Sequence, residues 1–153
     1  MKYTGTLIAV TDMEKSKTFY DDVLGLKVAA DFGANVTLEG GVVLQTMETW
    51  KELIQSDEIA LNNHAGELYF EETEMDAVLS HLQNCGVSYV HPPLEHRWGQ
   101  RAVRFYDPDH HIIEVGEDIT MVVKRFAAQN MTAAQIAKRM DVPEDFVQKC
   151  LAE

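Results

Sequence analysis

Residues 101–115, RAVRFYDPDHHIIEV, read as two β-strands joined by a tight turn. Val103 and Phe105 alternate with Arg104 and Tyr106, the period of a strand with one buried face. Asp107, Pro108 and Asp109 supply turn chemistry, since proline fixes φ and aspartate side chains bond back to nearby amides. A β-rich run from His111 to Val115 completes the hairpin. Glu114 is the odd residue. A carboxylate between Ile113 and Val115 needs a cation or strong donors, because burial without a partner is costly. Two answers are open: a metal or ligand in a cavity, or an arginine of the preceding strand, Arg101 or Arg104.

The same plan of elements runs through the chain twice. TLIAVT reads as a strand, and Asp12 follows as the N-cap of a helix that Gly25 ends. LKVAADF, NVTLE and VVLQTM are three short strands punctuated by Gly33 and Gly40-Gly41. ELYFEE then opens the second copy, with Thr73 as N-cap and one helical face of Met75, Val78, Leu79 and Leu82. Gly86 stops that helix, and VSYV, RAVRFY and HIIEV supply three more strands. The expected class is α+β: two βαβββ modules, at about residues 4–47 and 65–118, joined by a linker of about 47–64.

A chain of 153 residues with 46% hydrophobic content suits one compact domain of 1–118 plus an extension. No apolar run is long enough for a membrane helix, and the amino terminus lacks a signal peptide's apolar stretch. Two cysteines are too few for a disulfide framework, and Cys85 reads as a buried thiol. A cytoplasmic protein is expected. The net charge of −12 opposes binding to nucleic acid or anionic membrane. That charge is uneven: residues 119–153 carry +1 and residues 1–118 carry −13. Charge and pattern break at the same place.

The doubled module, the TDMEKSKTFYDDVLGL helix and the FYDPDHHIIEVGE hairpin resemble the vicinal oxygen chelate superfamily. That group includes glyoxalase I, extradiol dioxygenases, fosfomycin-modifying enzymes and bleomycin-resistance proteins. The resemblance spans roughly residues 5–118, and the D-P-D-x-x-x-x-E spacing from Asp107 to Glu114 is its most specific part. It implies an open barrel around a cavity, with ligands to one divalent metal projecting inward from the strands. Glu114 then resembles the last metal ligand. Gln45 and Glu67 fall at two other ligand places, and Gly5 falls at the first, where it has no side chain to offer. Gln45, Glu67 and Glu114 are oxygen donors that suit Mg²⁺ or Mn²⁺, with Ni²⁺ or Zn²⁺ as further candidates. Two acids without a histidine equally suit a branch that has lost the metal.

The segment HPPLEHRWGQR is stiff, aromatic and cationic. Trp98 could stack on a ligand and Arg101 could pair with an anion; a plugged barrel end and an ion pair to Glu67 or Glu114 are the plainer roles. No nucleophile elbow, phosphate loop or dinucleotide fingerprint is present. Three functions remain open. A glyoxalase-type lyase or isomerase would use Glu67 or Glu114 as proton shuttle beside a metal. A metal-free, ligand-sequestering protein would suit a cationic ligand, with Trp50, Trp98, Tyr69 and Tyr106 as candidate stacking groups; core packing is the plainer role of each, and the favoured one for Tyr69 and Tyr106. A ligand-sensing regulator would read DNA through its tail. Relatives imply a homodimer around a small-molecule ligand.

The tail, residues 119–153, reads as a helix through Met121–Gln129, a break at Asn130 and two short helices. Thr132 and Gln135 form a capping box, and Pro143 opens the last helix. Its spacing echoes a helix-turn-helix, but PEDFVQKCLAE is acidic where phosphates would have to bind. A helical hairpin docked on the barrel or across a dimer interface is the expected arrangement.

Overall fold

The computed structural model describes residues 1–153. The first module holds β1 (Thr6–Val10), α1 (Met13–Leu24), β2 (Val28–Asp31), β3 (Asn35–Leu38) and β4 (Val42–Thr46). The second holds β5 (Glu67–Glu72), α3 (Met75–Cys85), β6 (Ser88–Glu95), β7 (Arg101–Tyr106) and β8 (Ile112–Glu117). Between them lies α2 (Met47–Ile54), and after them come α4 (Ile119–Ala128), α5 (Ala133–Met140) and α6 (Glu144–Ala152). The strand orders are β1-β4-β3-β2 and β5-β8-β7-β6. In each sheet the first and last strands pair in parallel and the others antiparallel. This is α+β architecture with two βαβββ modules, and the sheets form an open rather than a closed barrel.

Alternation decides which residues face the core. Val10, Val36, Leu38, Val42 and Leu44 of the first sheet join Val103, Phe105, Ile113 and Val115 of the second in one apolar cluster. Tyr20 of α1 and Met75 and Leu82 of α3 complete it. The opposite faces carry Leu7, Ala9, Asn35 and Gln45 on one sheet, and Glu67, Tyr69, Arg104 and Glu114 on the other, as strand alternation requires.

The D-P-D turn has a structural task that its sequence only hinted at. Asp107 accepts from the amides of Asp109 and His111 at 2.9 and 2.8 Å, which closes the β7–β8 turn. Its other oxygen accepts from the Tyr20 hydroxyl at 2.9 Å and contacts His111 Nδ1 at 2.8 Å. Asp109 accepts from the amide of Thr11 at 3.2 Å and from its hydroxyl. Two neighbouring carboxylates of the second module thus hold the β1–α1 corner of the first.

Asp12 caps α1 through the Lys15 amide, and Gly25 ends it in the left-handed region. At α3 the cap differs from expectation: Glu72, not Thr73, accepts the amides of Thr73 and Glu74. The linker is not a plain connection either, since METWKELI folds as α2; its Met47, Trp50 and Ile54 repeat at helical spacing. Cys85 is exposed rather than buried, because its helix turns that residue toward His81 and solvent; Cys150 is the buried thiol. No helix is long and apolar enough to cross a membrane.

The tail folds as a unit. Val122, Val123 and Phe126 of α4, Ile136, Ala137 and Met140 of α5, and Val147 and Cys150 of α6 form a second apolar cluster. The capping box of Thr132 and Gln135 is formed, and Asn130 and Asp141 take positive φ at the two breaks. Helix α6 therefore spends its apolar face on α4 and α5.

Candidate functional site

Glu114 is only 5% exposed, and its partner is Arg104. The two residues are directly paired across the β7–β8 ladder, on the face turned away from the core. One guanidinium nitrogen of Arg104 contacts the Glu114 carboxylate, and the same side chain donates to both oxygens of Glu67 at 2.7 and 3.3 Å. Glu67 lies two residues before Tyr69, whose Cα pairs with Glu114, so both carboxylates share one face and one cation. The planar fork of arginine suits this bridging role.

Gln45 does not join them. It belongs to the other sheet, where its Oε1 accepts from Asn35 Nδ2 at 2.7 Å and its Nε2 contacts the hydroxyl of Thr49 in the first turn of α2. Register explains the separation. Leu7 precedes the cap residue Asp12 by the same five positions that separate Tyr69 from Glu74. Val43 pairs with Leu7 as Glu114 pairs with Tyr69. Val43, not Gln45, is thus the first-module counterpart of Glu114. Gly5 is fixed by packing: a Cβ there would stand 2.3 Å from the Gly41 carbonyl oxygen.

The residues present do not fit a divalent metal. The oxygens of Glu67 and Glu114 face Arg104, Gln45 is hydrogen-bonded elsewhere, and no cluster of three or more His, Cys, Asp or Glu could hold an ion. A guanidinium already contacts both carboxylates.

The face extends from this triad in two directions. Toward Glu67 it opens into a cavity of about 420 Å³, lined by Leu7, Trp50, Ile59, His64 and His111 among others. That volume is in the range of small-molecule sites. Toward β6 it carries an aromatic and amide group. Trp98 stacks on His96 with ring centres 4.3 Å apart and donates to Gln100 Oε1 at 3.1 Å. Gln100 Nε2 in turn reaches the Tyr69 hydroxyl at 3.3 Å, and Tyr69 is 49% exposed. Burial, with the positive charges of Arg104 and His91 nearby, holds the His96 imidazole below the usual histidine range.

Arg101 points elsewhere. Its side chain engages Asp76 and Glu117, on the side opposite Glu114. Glu117 was missed in the sequence, although it is only 2% exposed and is grasped by two arginines. Arg101 donates to it at 3.2 and 2.9 Å and Arg125 at 3.1 and 2.9 Å. The signal lay in position: Glu117 follows Ile113 and Val115 at strand period on the core face. Burial works to raise its carboxyl, but the arginine hydrogen bonds outweigh that and hold it below the usual carboxylate range.

Two βαβββ modules with an acidic outer face define a protein of the glyoxalase type of architecture. Residues 3–120 match the model of the glyoxalase-like domain, and the chain belongs to that family. A Bacillus subtilis (strain 168) protein, the uncharacterized protein YraH, is 28% identical over 75% of this chain and 97% of its own length. A protein of unknown function from Agrobacterium tumefaciens C58 superposes with a TM-score of 0.70 at 38% identity, over 77% of this chain and 94% of that one. A lactoylglutathione lyase from Agrobacterium tumefaciens shares the fold at 22% identity and a TM-score of 0.59, over 77% of this chain and 94% of its own. The family match ends at residue 120, so α5, α6 and all but the first two residues of α4 lie beyond it.

Proposed function

We propose that this protein binds a planar, cationic small molecule without a divalent metal, on the outer face of the second sheet and in the adjoining cavity. The observation that carries this reading is Arg104, which pairs with both Glu67 and Glu114 from within the chain and leaves one net negative charge there. The ligand class follows from what remains. Glu67, Glu71 and Glu114 outnumber Arg104, and Tyr69, Trp98 and Trp50 offer aromatic faces. The −13 charge of residues 1–118 adds long-range attraction for a cation. We also propose a homodimer, since Leu7 and Phe32 leave apolar side chains exposed on the first sheet and its neighbouring turn. Light scattering at micromolar concentration should give twice the chain mass.

The test has two arms. Protein purified without chelators should carry no stoichiometric metal, and Mn²⁺, Ni²⁺ or Zn²⁺ should leave its melting temperature unchanged. Proflavine, a planar aromatic cation, should bind saturably and at least about fivefold more weakly to Trp98→Ala, given stacking energies of about 1–3 kcal/mol. Stoichiometric metal would reverse the reading in favour of a metal-dependent lyase or isomerase. Glu67 or Glu114 would then be the proton shuttle, and Arg104 would have to withdraw.

A further inference from the structure

The loop that carries Trp98 and Gln100 is held from behind by the tail. Between β6 and β7 the chain reverses tightly: the His96 amide donates to the Gln100 carbonyl at 2.8 Å, and the Gly99 amide to the His96 carbonyl at 2.8 Å. Gly99 has φ +95 and lies against Phe126 of α4; a Cβ there would meet the ring at 2.2 Å. The Gly99 carbonyl accepts from Arg125 and the Arg97 carbonyl from Arg139 of α5. Both guanidiniums also lie over the Phe126 ring, at 5.2 and 5.8 Å from its centre. Glu95, at the end of β6, pairs with both arginines at 3.5 and 3.4 Å.

This arrangement has two sides. On one side of the loop Trp98, stacked on His96, donates to Gln100, and Gln100 donates to the Tyr69 hydroxyl and the Glu117 carbonyl. The other has carbonyls and a glycine gripped by an Arg-Phe-Arg stack. A loop of this length has no apolar core of its own, so beyond its own turn hydrogen bonds its order depends on what it docks on. Here that surface is supplied by helices with a separate apolar cluster, and the residues that make the contacts, Arg125, Phe126 and Arg139, all lie beyond the family match.

We infer that the C-terminal helices are a clamp that positions the recognition loop, with Phe126 and Arg139 as positioning residues that set Trp98 and Gln100 for ligand binding. The inference rests on the reading that the outer face of the second sheet is the ligand site. Loosening of the clamp leaves the sheets intact and blurs the aromatic wall of the site.

Arg139 is the residue to change, since it is partly exposed and its loss leaves both apolar clusters whole. In full-length Arg139→Ala, hydrogen exchange at the His96 and Gly99 amides should quicken at least about tenfold, the scale of one lost charge-assisted hydrogen bond. The β7 and β8 amides should exchange at the wild-type rate. Acrylamide should quench Trp98 more readily in a Trp50→Phe background; with Trp50 in place, proflavine should bind at least about twofold more weakly to Arg139→Ala, on the scale of partial loss of one stacking contact. Arg139→Lys should restore part of each effect, because a lysine can still reach the Arg97 carbonyl but cannot stack flat on Phe126. Unchanged loop exchange in Arg139→Ala would overturn the clamp. A loosened loop with unaltered proflavine affinity would overturn its role in recognition. If wild-type protein ignores proflavine, the ligand reading fails, while the exchange measurement still judges the clamp.

Discussion

Replacing Glu117 by glutamine tests how the tail is fastened to the barrel. The carboxylate accepts five hydrogen bonds: the amide, Nε and Nη2 of Arg101, and Nε and Nη2 of Arg125. Three of these reach Oε2 and two reach Oε1. A glutamine can keep at best the three on one oxygen, and its NH₂ then faces two guanidinium donors. Two lost charge-assisted bonds at about 1.5–3 kcal/mol each agree with the cost of breaking a buried ion pair, so the expected destabilisation is about 3–5 kcal/mol. Urea unfolding at pH 7 measures it. The pH dependence provides a second check. Glu117 has a folded pKa below its unfolded value, so its contribution is complete above the unfolded carboxylate range and is lost as pH falls through the folded value. The gap between wild type and Glu117→Gln should begin to narrow below about pH 5 and close only in stronger acid. A loss below about 1 kcal/mol at pH 7, the level of an exposed pair, would refute the claim that this carboxylate fastens the tail.

Arg104→Ala should cost about 2–4 kcal/mol, less than a fully buried pair because the arginine and Glu67 are partly exposed. Urea unfolding of the double variant with Glu114→Gln should recover most of that loss; a simple sum of the two effects would mean no coupling. Asp107→Ala should destabilise by about 3–4 kcal/mol, through lost bonds to Tyr20, His111 and the turn amides, and by more than Asp109→Ala. Tyr20→Phe should cost about 1–2 kcal/mol by the same measurement. Burial, and then the Asp107 charge, push the Tyr20 hydroxyl well above the usual tyrosine range. Its contribution is therefore full below the unfolded value near pH 10 and lost as pH rises beyond it. Tyrosinate absorbance from Tyr20 should appear only together with alkaline unfolding.

Much of the architecture was legible along the chain because strand and helix periods are local. Alternation at Val103, Phe105, Ile113 and Val115 assigned a core face, and Asp12, Gly25 and Gly86 marked helix ends through backbone chemistry that requires no distant partner. The doubled pattern then gave two modules. The short α2 escaped because its eight residues lay in a stretch read as a connection. The tail's breaks at Asn130 and Asp141 were legible for the same local reason as the caps.

The sequence by itself determined that Glu114 lies on a strand between apolar neighbours and needs a cation or strong donors, because burial of an unpartnered carboxylate is costly. It left the partner open between a metal and an arginine. Only the tertiary structure chose Arg104 over Arg101, through the register of β7 against β8, which pairs residue 104 with 114 and sends residue 101 to the opposite face. A shift of one residue would have exchanged them. It likewise separated Gln45 from the two glutamates, and it gave Glu117 to Arg125 of a helix that no strand pattern mentions. Periodicity fixes which way a side chain points from its own element. What it meets there depends on the packing of elements far apart in sequence, and that is set by the summed burial of the whole chain.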